Sequence, residues 1–242
     1  GSIDVYEPDT SLEVLISARV IDLRDERVAA AVSIGRTVQE TERVFGRGRA
    51  SEIEQVIAAV VSEFLEQIRP TLNGIVTPQT RYHRCGLVAV VPMDDYSPRR
   101  HGARVIENLL IAELIRRDWS VVEPGVVREV LLDHSQAARG GVSDEVLELL
   151  RSELGTCFVL TGAVEDFALA PAGGEAAVPH LDYGVRLIDA RAMRLVAAAN
   201  ESRNGLQGET VFGRGREYSM ARLARASIED LLEDLDVEKA RP

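Results

Sequence analysis

The chain has 242 residues, 45% hydrophobic and 28% charged, with a formal net charge of −11 at neutral pH. This is ordinary globular composition, outside the low-hydrophobicity, high-charge range of disordered chains, and the length suits one large domain or one domain plus a sizeable second piece. The acidic balance argues against a nucleic-acid partner, which needs a basic face to displace counterions, and no apolar run approaches the roughly 18 to 20 residues of a membrane-spanning helix.

Gly1-Ser2 reads as a cloning scar, which leaves room upstream for a signal sequence, a lipid anchor or a preceding domain. Leu12 to Leu23 and Val28 to Val38 read as two strands joined by the polar turn Arg24-Asp25-Glu26-Arg27. Beyond Val44-Phe45-Gly46-Arg47-Gly48-Arg49, the apolar residues Ile53, Val56, Ile57, Val60, Val61, Phe64, Leu65 and Ile68 recur at helical spacing. Pro70 to Arg84 is a Pro/Gly-bearing linker. The continuous apolar run Leu87 to Val91 suits a strand covered on both faces, and Pro92 to Pro98 is the loop that ends it.

A helix follows from Gly102 to Arg117, then a strand from Trp119 to Val122 and a helix from Pro124 to about Asp133, with Pro favoured in its first turn. Ser143 caps a further helix through Leu154, and Gly155 stops it. Cys157 to Leu169 is a third strand, and Ala170 to Val178 is a short Pro/Gly/Ala loop. Leu181 to Ile188 and Leu195 to Arg203 form a second hairpin, and Met220, Leu223, Ser227, Ile228, Leu231 and Leu235 mark the closing helix.

The two hairpin-plus-helix segments are copies of each other. Val44-Phe45-Gly46-Arg47-Gly48-Arg49 recurs letter for letter as Val211 to Arg216, 167 residues on. The same offset aligns Arg19-Val20-Ile21-Asp22 with Arg186-Leu187-Ile188-Asp189 without a gap, and about a third of positions between Val14 and Ile68 are identical to their counterparts. A hairpin and one helix cannot bury both apolar faces alone. The second copy follows about a hundred residues of strand, helix, strand, helix, strand; the first follows only ten residues. Residues 1–69 therefore read as a partial first repeat, the C-terminal half of a duplicated domain. Residues 70–84 are a linker, 85–236 a complete α/β domain and 237–242 a tail. The first copy is either half of a domain that has been cut through, or the completion of some other sheet in its own chain, a symmetry mate or a partner.

Strands alternating with helices and ending in a hairpin imply an α/β fold, a mixed β-sheet packed with helices in two or three layers. Leu87-Val88-Ala89-Val90-Val91-Pro92 resembles the opening strand and loop of the CsgG-like family. Ser120 to Pro124 and Val130-Leu131 resemble its second strand and following helix, and Leu154-Gly155 through Leu160-Thr161-Gly162 its third-strand signature. Val185 to Arg191 is similar to its fourth strand. Over about residues 85 to 236 the ordered set resembles the CsgG-like and TolB-N-terminal-like envelope assembly proteins, with their FlgO-like and LpoB-like lipoprotein relatives.

The resemblance implies a non-catalytic protein acting in assembly, secretion or regulation of a cell-envelope machine. It implies contacts with other envelope proteins, homo-oligomerisation, and a periplasmic, outer-membrane-associated location in a Gram-negative bacterium, with a membrane tether through a removed N-terminal lipid anchor. The pore-forming member inserts long spanning hairpins, and since each membrane strand needs roughly 9 to 11 residues, Ala170 to Val178 cannot supply a pore wall. A channel is not expected.

No cofactor, metal or catalytic group is expected. The VFGRGR copies lack the Lys-Ser/Thr ending of a phosphate loop; Phe45 and Phe212 read as core plugs, the glycines as a bend, and Arg47, Arg49, Arg214 and Arg216 as candidate protein-contact residues. Asp94, Asp95, Glu123, Glu165 and Asp166 gather at strand ends near His101, where open α/β sheets bind ligands. They read mainly as loop ends and helix caps, and the alternative function is a small-molecule or metal-binding domain, perhaps a hydrolase, using those acids. His83, His101, His134 and His180 have no paired metal spacing, and no nucleophile elbow occurs. Cys85 and Cys157 precede strands, so a disulfide is geometrically open to them if the strands are neighbours; buried or idle thiols are the preferred reading.

Overall fold

The computed structural model of the protein describes residues 2–6, 13–37, 52–74, 86–98, 101–136, 141–172, 175–208, 210 and 215–235. Its strands are β1 (Ser2–Tyr6), β2 (Glu13–Asp22), β3 (Arg27–Thr37), β4 (Leu87–Val90), β5 (Asp94–Asp95), β6 (Ser120–Val122), β7 (Phe158–Ala172), β8 (Glu175–Asp189) and β9 (Arg194–Asn204). Its helices are α1 (Glu52–Gly74), α2 (Gly102–Arg116), α3 (Pro124–Asp133), α4 (Asp144–Leu154) and α5 (Met220–Asp234). All the strands belong to one mixed sheet in the order β1-β2-β3-β6-β4-β7-β8-β9, with the short β5 beside β7.

The central strands are buried on both faces because they alternate between two apolar cores. Val88 and Val90 face α2 and α5 in the larger core, while Leu87, Ala89 and Val91 face α3 and α4 in the other. β4 runs parallel to β6 and to β7, as crossover helices require. Ser143 accepts a hydrogen bond from Val146 N at 3.3 Å at the start of α4, and Gly155 ends that helix with φ of 66°, both as expected from their positions.

The duplication is present in the backbone. β2 corresponds residue for residue to the last ten residues of β8, and β3 to β9, at the same 167-residue offset. The hydrogen-bonded register slips at Val20/Ile21 in one hairpin and at Leu187/Ile188, the equivalent point, in the other. The turns match too: Asp22 accepts from Arg24 N and Asp189 from Arg191 N, while Glu26 and Met193 take φ of 58° and 49°. Each helix packs on the same face of its own hairpin, α1 through Val60 and Phe64 onto Val14, Ile16, Val32 and Ile34.

The first hairpin completes a sheet in its own chain. β3 pairs antiparallel with β6 through Arg27↔Val122 and Val28↔Val121, and Glu123 N donates to Glu26 O at 3.0 Å. Its second face, Leu15 and Ala31, lies against the core formed by α2 and α5.

Three boundaries differ from the sequence-based expectation. β1 is an additional strand, pairing along β2 from Ser2↔Ser17 to Tyr6↔Glu13. The residues 170–178 expected as a loop are mostly strand, since β7 extends to Ala172 and β8 begins at Glu175; a two-residue connection suffices to turn an antiparallel pair. α1 continues through Pro70 to Gly74, inside the expected linker; one proline removes a single intrahelical bond without obliging the helix to end.

Candidate functional site

The junction between the repeats holds the densest set of buried polar contacts in the described residues. Glu13, at the first position of β2, is only 2% exposed. Its carboxylate accepts from Ser219 Oγ at 2.7 Å, from Met220 N at 2.9 Å and from Ala221 N at 2.9 Å. Those amides open α5 and have no intrahelical acceptor; a carboxylate satisfies them and meets the positive end of the helix dipole. At the same contact, Gly35 of β3 faces Ala221 so closely that a Cβ there would collide with the alanine methyl.

Further along the hairpin, the Arg19 guanidinium forks onto both Glu123 oxygens at 3.2 Å and reaches Asn108 Oδ1 at 2.5 Å. Glu123 also caps α3 through Gly125 N. A planar guanidinium fits this two-oxygen grip where a lysine would not. Ser17 and Ser33 share a hydroxyl hydrogen bond at 2.7 Å, and Arg225 donates to Ser33 O. Behind them, burial pushes the Glu107 carboxyl up, although Met93 N donates to it at 2.7 Å. Burial also raises the neighbouring Glu113, but hydrogen bonds from Arg116 and Arg117 outweigh it and hold that carboxyl below its usual range. Arg117 continues to Glu229 O, tying α2 to α5.

The equivalent stretch of the second hairpin, Asp182 to Arg186, borders open space instead. There a polar groove of about 410 Å³ is lined by residues including Asp94, Thr161, Glu165, Asp182, Arg186 and Asn200. The substitutions between the copies follow this difference in cover. Buried Glu13 and Leu15 correspond to partly exposed His180 and Asp182, and His180 pairs with Asp166 at 2.8 Å.

Of the candidate contact residues, Phe45, Arg47, Arg49, Phe212 and Arg214 lie outside the described residues. Arg216 is half-buried just after Gly215, whose φ of 89° makes the expected bend. The acidic strand ends are not brought to one point. Asp95 accepts from Ser97 N and from Ala103 N in the first turn of α2, Glu123 is engaged at the junction, and Asp166 pairs with His180; Asp94 and Glu165 line the groove. Among the described residues no group of three His, Cys, Asp or Glu side chains is placed to hold a metal ion.

One preferred reading is corrected: Cys157 is disulfide-bonded, not a free thiol, and Cys85 is the one other cysteine in the sequence. The physical reason is the β4–β7 pairing, which sets Cys157 N on Leu87 O at 2.9 Å and so brings the start of β7 against the start of β4. The residues that join the repeats, Glu13 and Arg19, were not candidates. Their signal lies in the aligned copies, where Glu13 faces His180 across the alignment at an otherwise similar strand position.

No family model matches this sequence, and no curated protein matches it. Solved structures with a similar chain path include the PelC dodecamer from Paraburkholderia phytofirmans, at 19% identity over 62% of this chain and 87% of that one, with a TM-score of 0.37. Lipoprotein GNA1162 from Neisseria meningitidis is 18% identical over 65% of this chain and 99% of its own, with a TM-score of 0.43. The LpoB C-terminal domain from Salmonella enterica is 8% identical over 56% and 94%, with a TM-score of 0.36. Likeness at this level assigns no activity, ligand or partner to the chain.

Proposed function

We propose that this chain is a non-catalytic protein of the bacterial envelope, periplasmic and associated with the outer membrane, that works through contacts with other envelope proteins and with copies of itself. The observation that carries this reading is the repeat junction. Polar side chains of the first hairpin, the buried Glu13 and the half-buried Arg19 foremost, grip the elements of the second repeat's unit. Module-to-module recognition is thus built into the chain. The disulfide at Cys157 favours an oxidising compartment, and the ordered resemblance of residues 85–236 to envelope assembly proteins points the same way. A pore wall is disfavoured, because only residues 175–179 of β8 project beyond the end of β9, short of the roughly 9 to 11 residues that a membrane strand needs.

Measurement of mass in solution, with capture of partners from an envelope extract, tests the proposal. A strict monomer that retains no envelope protein overturns it. The polar groove at Asp182 and Arg186 supports a second reading, a small-molecule or metal-binding domain. Thermal-shift screening against metal ions and nucleotides separates the two, since a ligand of the native state must raise apparent stability.

A further inference from the structure

The duplication provides an internal control for the polar groove, because the same strand face occurs twice, once covered and once open. In the first hairpin Leu15, Ser17 and Arg19 of β2 stand opposite Gly35, Ser33 and Ala31 of β3. In the second, Asp182, Gly184 and Arg186 of β8 hold the equivalent places, opposite Ser202, Asn200 and Ala198 of β9. The covered copy shows what an arginine at this position does: Arg19 forks onto both oxygens of Glu123 at 3.2 Å and also reaches the Asn108 amide oxygen. Arg186 has the same place on its strand, but in front of it lies a groove of about 410 Å³, within the size range of small-molecule sites.

The substitutions around Arg186 clear and polarise that face. Leu15 gives way to Asp182, Ser17 to Gly184 and Ser33 to Asn200. The glycine and the asparagine belong together: a Cβ at Gly184 would strike Asn200 Oδ1, so the missing side chain lets the carboxamide lie across the groove floor. Among the described residues no side chain partners Arg186, Asp182 or Asn200. Glu165, at the β7 bulge, lines the groove at the Asp182 end. The groove thus offers a guanidinium at one end, carboxylates at the other and an amide between.

We propose that this groove binds a short peptide of two or three residues with both ends free. Its terminal carboxylate is forked by Arg186 as Glu123 is by Arg19, and its terminal ammonium meets Asp182 and Glu165. Arg186 and Asp182 are four residues apart on β8, about 13 Å between Cα atoms. A single amino acid carries its two charges too close together to reach both. An extended peptide of two or three residues, about 7–10 Å long, reaches them with a hydrogen bond of about 3 Å at each end. A nucleotide would bring phosphate against Asp182 and Glu165, which repel it. The Asn200 carboxamide and the hydroxyl of Thr161, the β7 residue paired with Arg186, remain for the peptide group between. This rests on the small-molecule reading of the groove given second above, and it does not depend on the compartment.

The test is calorimetric titration of the full chain with trialanine, while the backbone amide resonances of Gly184 and Asn200 locate the ligand. We expect saturable binding that shifts both resonances, and binding weaker by about tenfold or more for trialanine amide and for N-acetyl-trialanine, each of which removes one charged end. Arg186→Gln should weaken trialanine by the same factor and Arg186→Lys should not restore it, since an ammonium cannot fork a carboxylate. Arg186 is exposed, so both variants should keep the parent urea midpoint. Absence of saturable trialanine binding overturns the proposal, as does binding that either blocked peptide or Arg186→Gln leaves unchanged. If metal ions or nucleotides shift Gly184 and Asn200 while trialanine does not, the peptide is refuted and the small-molecule reading of the groove stands. If no probe shifts them, both fall.

Discussion

Replacing Glu13 by alanine removes the acceptor for Ser219 Oγ and for the Met220 and Ala221 amides in a site 2% exposed to water. The hydroxyl can turn to another partner, but the amides cannot. A buried donor left without a partner costs about 1–3 kcal/mol, and loss of a negative charge from a helix N-terminus about 0.5–2 kcal/mol. Two amides at the lower bound, plus the dipole contribution, place Glu13→Ala at about 2.5–4 kcal/mol of lost stability. Glu13→Gln keeps one oxygen and the side-chain shape, so about 1–2 kcal/mol is expected. Urea unfolding at neutral pH measures both. His180→Ala, at the equivalent position of the second repeat, gives up only a partly exposed hydrogen bond to Asp166 and should cost about 0–1 kcal/mol. If Glu13→Ala costs less than about 1 kcal/mol, or no more than His180→Ala, the carboxylate does not hold the repeats together and the reasoning fails.

The remaining expectations concern the same junction and the strand that follows it. Gly35→Val places branched atoms against Ala221 and should cost about 1–3 kcal/mol by overpacking, read as a lowered urea midpoint with the slope unchanged. Reduction, or Cys157→Ser, frees the start of β7; if the bond closes the stretch from Cys85, chain entropy predicts a loss on the order of 4 kcal/mol, measurable as a fall in Tm. Glu107 carries a raised pKa in the folded state, so the native protein holds its proton more tightly than the unfolded chain does. Its contribution is therefore fully present below the ordinary value of 4.5 and is lost as pH rises through the folded value. Glu107→Gln should match the parent near pH 4 and become the more stable of the two by pH 8; a gap that narrows as pH rises contradicts this.

Local pattern carried most of the fold. Pro124 at a first helical position, Ser143 before an apolar run and Gly155 after one act within a few residues, and the elements they bound appear where the sequence puts them. The repeat was legible for the same reason, since an offset preserved in sequence is preserved in register down to the bulge at Val20/Ile21. The destination of the first hairpin was not legible. β3 meets β6 through two residue pairs, and Glu13 meets α5 across 206 residues; neither leaves a periodic trace in either segment. The disulfide was equally remote, resting on a parallel pairing of β4 with β7 that no spacing encodes.

The candidate site followed a different logic. VFGRGR drew attention because it is identical in both copies, yet identity between duplicated segments marks what both must do, such as turning the chain before a helix. The residues that distinguish the copies carry what only one of them does. Arg19 and Arg186 are the same residue at equivalent positions, but Arg19 finds Glu123 and Asn108 whereas Arg186 lines an open groove. Around them the neighbours diverge from Glu13 and Leu15 to His180 and Asp182. An aspartate in place of the buried leucine would bring a charge into an apolar core, and a histidine in place of the glutamate would present no carboxylate to a helix N-terminus. The second hairpin therefore cannot repeat the docking that the first performs. Among the described residues the contact runs in one direction, from the first hairpin onto the helix of the second repeat.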